Sequence, residues 1–300
     1  MIPMLRRADA WLGAPAPAEQ LGALRLVTSL FATCYLAVRL PAFLALADAP
    51  ESRFEPIGVL ALLDSPMPDA AWTALLVGAL VLGAASASGV WFRLSGPGFA
   101  TLLLMITTYR SSWGQLLWFE ALLVLHVVIV AVAPSADAWS MGTRRTVPAH
   151  RDPRQYGFPV RLAAIVTVMT YLLAGVAKLR IGGGDWAAGD TLRNHIAYSA
   201  VRLEVLGGSP APLARPFMEH GALLAPMAVT TLVIELAAPI ALLGGRIRSA
   251  WVAAAWTMHA GIAALMLVVF PYPLTLVAFA PLFPLERLQR RSPPAPPGSP

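Results

Sequence analysis

The stretch Pro159-Val-Arg-Leu-Ala-Ala-Ile-Val-Thr-Val-Met-Thr-Tyr-Leu-Leu-Ala-Gly-Val-Ala-Lys178 carries only two charged side chains, Arg161 and Lys178. A helix needs about 20 mostly apolar residues to cross a hydrocarbon core about 30 Å thick, and this stretch has that length. The whole chain has the same character, because 57% of its residues are hydrophobic, 13% are charged and the mean hydropathy is +0.66. Soluble domains carry more charge and fewer apolar residues. The sequence therefore predicts a polytopic membrane protein.

Other apolar blocks of similar character lie on both sides of this stretch. Together they predict an all-α, polytopic transmembrane helical bundle of about eight spans. The third and eighth blocks are short, which leaves tilted, joined or partly re-entrant geometry open for them. The sequence divides into an N-terminal segment (1–20), a membrane domain (21–286) and a basic, proline-rich tail (287–300) that we expect to be disordered. The predicted spans lie near residues 22–46, 72–92, 97–109, 115–133, 159–178, 221–244, 250–269 and 272–285.

Charged residues alternate between the predicted loops. The loop after the first span is acidic, with Arg53 as its only basic residue. The positive-inside rule then places both termini in the cytoplasm of a multi-pass protein of the cell membrane. The net charge of +6 is explained by arginines at the cytoplasmic face that meet anionic headgroups, so membrane lipid is the expected partner. This argues against a nucleic-acid partner. The basic clusters are Arg6 and Arg7; Arg93; Arg144, Arg145, Arg151 and Arg154; Arg246 and Arg248; and Arg287, Arg290 and Arg291.

The cysteine content excludes several kinds of chemistry. Cys34 is the only cysteine, so the chain has no internal disulfide, no Cys-x-x-Cys pair and no thiolate metal cluster. We expect Cys34 to act as a small packing residue, and we predict no metal site. The first apolar block is long and carries Arg25 and Arg39, which favours a retained signal anchor over a cleaved signal peptide.

Lys178 is the only lysine in a chain that has 22 lysines and arginines together. Arginine stays charged, whereas a lysine in an apolar setting can give up its proton and act as a base. The alternative is that a lysine at a helix end snorkels to the membrane surface. Tyr171 lies two helical turns deeper on the same stripe, and Gly175 between them would let a helix or a flat ligand approach closely. Trp186, in the polar segment that follows, is expected to be an interfacial aromatic residue.

Glu235 and His259 are ionisable residues at predicted membrane depth, where such groups mark a functional site or a buried polar pair. Pro239 leaves the carbonyl of Glu235 without its helical partner and predicts a polar, kinked point. His259 lies midway along the seventh span, from which it could meet Glu235 across helices. Arg39 either compensates Glu235 or snorkels outward, and Arg25 is expected to snorkel inward.

Glu120 and His126 in the fourth span are six positions apart, hence on different faces of a helix, and predict no pair.

The motif Tyr171-Leu-Leu-Ala-Gly-Val-Ala-Lys178-Leu, followed by Asp185-Trp186-Ala-Ala-Gly189, resembles the signature of vitamin K-dependent gamma-carboxylase and its bacterial HTTM (horizontally transferred transmembrane) relatives. The likeness extends to Pro134-Ser-Ala-Asp-Ala-Trp-Ser140, Glu235, His259 and Ala280-Pro-Leu-Phe283, and so covers nearly all of the membrane domain (21–286). It implies that Lys178 deprotonates a reduced quinone of the vitamin K or menaquinol kind. It thus presents Lys178, Glu235 and His259 as candidate catalytic residues, and Tyr171, Gly175 and Trp186 as candidate quinol contacts.

Two departures argue against protein carboxylation itself. The carboxylases carry a large domain outside the membrane, whereas this sequence ends soon after its last predicted span. They also have an Asn-His pair where this sequence has Trp118-Phe119-Glu120. Three hypotheses follow from these residues. The first is an enzyme that uses a quinol and oxygen, the second is a non-catalytic scaffold for a thiol-redox or biosynthetic partner protein, and the third is a transporter that relays protons through Glu235 and His259.

Overall fold

The computed structural model describes residue 6 and residues 9–114, 119–141 and 151–288. Over this part of the chain the secondary structure is helical and contains no strand, so the predicted all-α fold class is confirmed. Several residues used above lie outside the described part: Arg7, Trp118, Arg144, Arg145, Arg290, Arg291 and residues 289–300 of the predicted tail.

The α-helices are numbered here in chain order. They are α1 (Ala18–Leu44), α2 (Asp69–Ser88), α3 (Phe92–Ser111), α4 (Phe119–Val132), α5 (Arg154–Ala187), α6 (Asp190–Val205), α7 (Ala214–Glu219), α8 (Leu224–Leu236), α9 (Gly245–Met266) and α10 (Pro271–Leu274). Short 3-10 segments cover Ala45–Asp48, Glu51–Arg53, Gly58–Leu60, Gly221–Leu223, Ala238–Leu243, Val277–Leu282 and Leu285–Leu288.

Four helical segments in the described part are long and apolar enough to cross a membrane: Ala18–Asp48, Asp69–Ser88, Arg154–Ala187 and Gly245–Met266. Two shorter apolar helices cover Glu120–Val132 and Gly221–Leu236. The count of eight spans therefore stays a prediction.

The eighth predicted span is divided into α10 and a 3-10 segment, because Pro271, Pro273 and Pro281 cannot donate the hydrogen bonds of a continuous helix. The sixth predicted span also changes character, because α8 ends just beyond Glu235 and Pro239 lies in the following 3-10 segment.

The described residues of Met1–Ala163 and Phe283–Pro300 form one compact unit, the first unit. Its helices α1 to α4 form a bundle in which α1 packs against α2 and α4, and α3 packs against α2 and α4. The turn between α2 and α3 is tight. Gly89 adopts a left-handed conformation with φ 77°, and Val90 N–H donates to the Ala85 carbonyl at 3.0 Å, which is the Schellman ending of a helix.

Arg25 on α1 is fully buried inside the first unit, so the prediction that it snorkels inward is wrong. Its guanidinium donates to carbonyl groups at two helix ends, which are the places where helices leave acceptors unpaired. The acceptors after α4 are Ser135 at 3.1 Å, Ala138 at 3.3 Å and Trp139 at 2.6 Å, and those at the end of α2 are Ser86 at 2.8 Å and Ala87 at 3.0 Å. One arginine thus joins three helices.

Ala164–Leu282 form the second unit, which contains the rest of α5 and the helices α6 to α10. Helix α9 packs against α6, α7, α8 and α10, while α6 also packs against α7 and α8. Helix α5 has a kink at Gly183, where φ is 49° and ψ is −130°. Part of the core consists of Trp186, Leu192, Ile196, Ala211, Ala214, Leu224, Ala228, Leu232 and Leu265.

Candidate functional site

Lys178 on α5 and Glu235 on α8 form an ion pair within the second unit, in which Lys178 Nζ donates to Glu235 Oε1. The Lys178 side chain is 24% exposed and that of Glu235 is 5% exposed. Lys178 Nζ also lies 4.7 Å from the centre of the Trp186 ring, which is a cation–π geometry. The amine of Lys178 is therefore engaged by a carboxylate and an indole within the second unit.

Gly175 is the residue that lets α5 and α8 approach closely enough for this pair. A Cβ atom at Gly175 would lie 3.0 Å from Glu235 Cβ and 3.1 Å from the Leu236 side chain. Real Cβ contacts are rarely this short, so a larger residue would push the two helices apart. The close neighbour of Gly175 is thus helix α8, while a quinol contact there stays a prediction.

Trp186 is buried in the second unit rather than placed at an interface, so the expectation of an interfacial residue is wrong. Its indole N–H donates to the Ala228 carbonyl at 3.2 Å, and its ring packs in the core. The kink at Gly183 separates it from the helical turn that carries Lys178. Trp186 therefore covers one side of the Lys178 amine and also ties α5 to α8.

A second polar pair in the same unit joins Tyr171 on α5 to His259 on α9. The Tyr171 hydroxyl and His259 Nε2 are 2.8 Å apart in a hydrogen bond, and both side chains are buried. Aromatic rings surround the pair: Trp251 lies 5.1 Å from Tyr171 between ring centres, and Phe270 lies 5.0 Å from His259. This hydrogen bond is set in an apolar environment, which strengthens it and makes its loss costly.

The predicted hydrogen-bonded meeting of Glu235 and His259 is not what the structure shows. Glu235 bonds to Lys178, while His259 bonds to Tyr171. The reason is that α5 supplies both partners, Lys178 for Glu235 on α8 and Tyr171 for His259 on α9. The two pairs still interact electrostatically, since the charge of Glu235 acts on Tyr171 and that of Lys178 acts on His259.

Two buried polar atoms of this cluster have no hydrogen-bond partner among the described residues. They are Glu235 Oε2 and His259 Nδ1. Buried polar atoms are nearly always paired, so each of these two atoms is a candidate contact for a bound molecule with hydroxyl groups. We call Lys178, Glu235, Tyr171 and His259, with Trp186 beside them, the lysine cluster.

The sequence did not reveal a second polar cluster, which lies in the first unit. Glu120 Oε1 accepts hydrogen bonds from the Tyr35 hydroxyl and from Arg110 Nη1. Arg39, which was considered as a partner of Glu235, interacts electrostatically with Glu120. His126 Nε2 forms a hydrogen bond with the Ala163 carbonyl at 3.1 Å. The available signal was that Glu120 is an ionisable residue inside the fourth predicted span and that Arg110 begins the loop before this span.

No group of three or more histidine, cysteine, aspartate or glutamate residues is arranged to hold a metal ion within the described ranges. No protein-family model, no curated protein and no solved structure matches the chain. The HTTM and carboxylase resemblance thus rests on the motif residues and stays a prediction. Over the described residues, the structure defines a helical fold with membrane-length helices and a largely buried ionisable cluster in the second unit.

Proposed function

We propose that this chain is a multi-pass membrane enzyme that binds a reduced quinone at the lysine cluster, with Lys178 as the general base. The observation that carries the proposal is the Lys178–Glu235 pair, in which Glu235 is buried and its second carboxylate oxygen, Oε2, has no partner among the described residues. Ionisable groups inside apolar helices cost free energy, so by default they indicate a functional site.

The residues of the cluster fit a quinol chemically. A quinol has a flat apolar ring with two hydroxyl groups, and the surroundings offer aromatic side chains for the ring. Glu235 Oε2 can accept a hydrogen bond from a hydroxyl, and His259 Nδ1 can donate or accept one according to its tautomer. The membrane also supplies this class of substrate directly. These features support a quinol as the substrate class.

Lys178 must be neutral before it can act as a base. In the proposed reaction the proton moves from Nζ to Glu235 Oε1, which converts the ion pair into a neutral amine and a carboxylic acid. The amine can then take a proton from a quinol hydroxyl. Tyr171 fixes the orientation of the His259 ring through their hydrogen bond, which keeps Nδ1 available at the same site.

The overall reaction that the family resemblance implies is balanced with oxygen as the oxidant. One oxygen atom of O₂ enters the quinone as an epoxide, and the other leaves as water with the two hydroxyl hydrogens of the quinol. In this reaction the protein holds and moves the protons. The exclusion of bulk water by the aromatic shell would protect the reactive species.

The decisive experiment uses the purified full chain in lipid nanodiscs with menaquinol and oxygen, and follows epoxide by mass spectrometry. We expect the wild type to form epoxide. The rate of epoxide formation should be at least about a hundredfold lower in Lys178→Ala, as is usual for removal of a general base. Lys178→Arg keeps the ion pair with Glu235 but cannot give up its proton, so it should be equally inactive while remaining folded.

The matched control for these variants is Arg180→Ala, which removes an exposed charge two residues away on the same helix. It should retain the wild-type rate. Equal rates for the wild type, Lys178→Ala and Lys178→Arg would remove the enzymatic proposal. In that case the scaffold hypothesis would be tested next, by crosslinking for a thiol-redox partner protein.

A further inference from the structure

A groove in the first unit lies between the turn that joins α2 to α3 and the end of α4. It has a volume of about 1230 Å³. One wall is made by Trp91, Phe92 and Arg93, and the other by Val132 and Asp137. All the lining residues belong to the first unit, so the groove is distinct from the lysine cluster.

Hydrogen bonds hold the backbone of both walls of the groove in place. The buried Arg25 guanidinium binds carbonyls at the end of α2, just before one wall, and carbonyls that follow α4 in the other. Ser140 Oγ donates to the Gly89 carbonyl at 3.0 Å and links the same two segments. A ligand would therefore meet a preformed surface, which lowers the entropic cost of binding.

The position of the groove along the helices matches the surface of a membrane. Helix α2 is long and apolar enough to span a bilayer and ends at Ser88, so in a membrane-spanning orientation the residues that follow would lie where hydrocarbon meets headgroups. Trp91 is 83% exposed there, and the nearby Leu94 and Val132 are also largely exposed. Tryptophan prefers this interfacial region, while exposed aliphatic side chains face acyl chains.

The charges in the groove favour an anion. Asp137 is already occupied, because it faces Arg151 Nε at 3.0 Å and accepts a hydrogen bond from the Tyr156 hydroxyl at 2.8 Å. Arg93 is exposed and has no acidic partner among the residues that the structure describes. Two arginines and one aspartate leave an excess of positive charge beside apolar walls. Basic pockets between membrane helices bind the headgroups of anionic lipids.

We propose that this groove binds an anionic phospholipid, with the phosphate on Arg93 and an acyl chain along Leu94 and Val132. A free phosphate ion would have no use for the apolar walls, so the combination of charge and apolar surface favours a lipid. Binding of the lipid would stabilise the turn between α2 and α3 and the end of α4, which are the segments that Arg25 joins.

The test measures phosphatidylglycerol binding to the purified full chain in detergent by native mass spectrometry, with phosphatidylcholine as the neutral comparison. We expect the wild type to retain phosphatidylglycerol preferentially. Arg93→Ala should weaken the apparent affinity about tenfold, because one charge-assisted contact is lost. Arg93→Lys keeps the charge and should bind within roughly threefold of the wild type.

Two further variants make the outcome specific. Arg246→Ala removes an exposed arginine outside the groove and should bind like the wild type. Val132→Asp places a negative charge on an exposed position of the wall and should weaken binding as much as Arg93→Ala. Unchanged binding by Arg93→Ala would overturn the proposal. Equal displacement of the lipid by inorganic phosphate at the same concentration would also overturn it, because the groove would then be a phosphate site.

Discussion

Arg25 shows how one side chain can organise the ends of several helices. An arginine near the start of an apolar helix is expected to reach for the membrane surface. Here the carbonyl groups at the end of α2 and after α4 surround the guanidinium, and five hydrogen bonds replace its hydration. Arginine suits this position because it offers five donors in a fixed planar arrangement.

Replacement of Arg25 by lysine should therefore destabilise the first unit. A lysine has three donors, so at least two buried carbonyl groups would lose their partners, at about 1–3 kcal/mol each. We expect the unfolding free energy to fall by roughly 2–6 kcal/mol for Arg25→Lys, measured by thermal unfolding in detergent. Arg154→Lys at an exposed position is the control and should change little. A similar small shift in both variants would contradict the structural role of Arg25.

At the same scale, the sequence identified the residues of the lysine cluster, but it did not identify their hydrogen-bond partners. Lys178, Glu235, Tyr171 and His259 all belong to one cluster, because charged or polar groups inside apolar helices stand out in any sequence. Helical periodicity shows which residues share one face of a helix, but it does not show which residue of another helix contacts that face. The Lys178–Glu235 pair was therefore not predicted. The pairing of Arg110 with Glu120 was missed for the same reason.

At the scale of the helices, the close crossing of α5 and α8 depends on a glycine, Gly175. Gly175 leaves room for Glu235 and Leu236, and the Lys178–Glu235 pair forms one turn further along α5. Small residues at such crossings allow helix backbones to approach in a membrane, where packing drives association.

Gly175→Leu should separate the two helices and disrupt the ion pair. Overpacking at a close helix contact costs about 1–3 kcal/mol of unfolding free energy. We expect the loss in the rate of epoxide formation, expressed as free energy, to exceed this cost, because the geometry of Lys178 is directly affected. Both are measured on the same nanodisc sample. Gly184→Ala is the control, because a Cβ at Gly184 meets nothing within 4 Å and alanine favours the helix. Full activity in Gly175→Leu would show that the crossing does not position Lys178.

The element boundaries were predicted where apolar blocks are long and missed where proline or charge intervenes. The first, second, fifth and seventh predicted spans correspond to the four segments of membrane length. The proline-rich eighth block forms only one helical turn and a 3-10 segment. Helix α6 was not predicted, because its buried residues Leu192 and Ile196 are separated by polar ones and leave no apolar block.

On the scale of the whole molecule, the alternation of basic and acidic loops predicts an orientation that can be measured. Ser209 lies in the exposed loop after α6, on the side predicted to be outside, while exposed Arg154 begins α5 on the side predicted to be cytoplasmic. In a Cys34→Ser background, Ser209→Cys should react with a membrane-impermeant maleimide in intact cells. Arg154→Cys should react only after the cells are permeabilised. The reverse pattern would invert the predicted topology.

The Lys178–Glu235 pair also bears on how the chain is made. The two residues are 57 positions apart, so a ribosome that adds 5–20 residues per second reaches Glu235 about 3–11 s after Lys178. Throughout that interval the nascent α5 carries a cation with no counterion, which a bilayer interior disfavours. Residue 178 must then wait in water or beside the insertion machinery until α8 emerges. Translation itself thus sets the earliest moment at which the second unit can close.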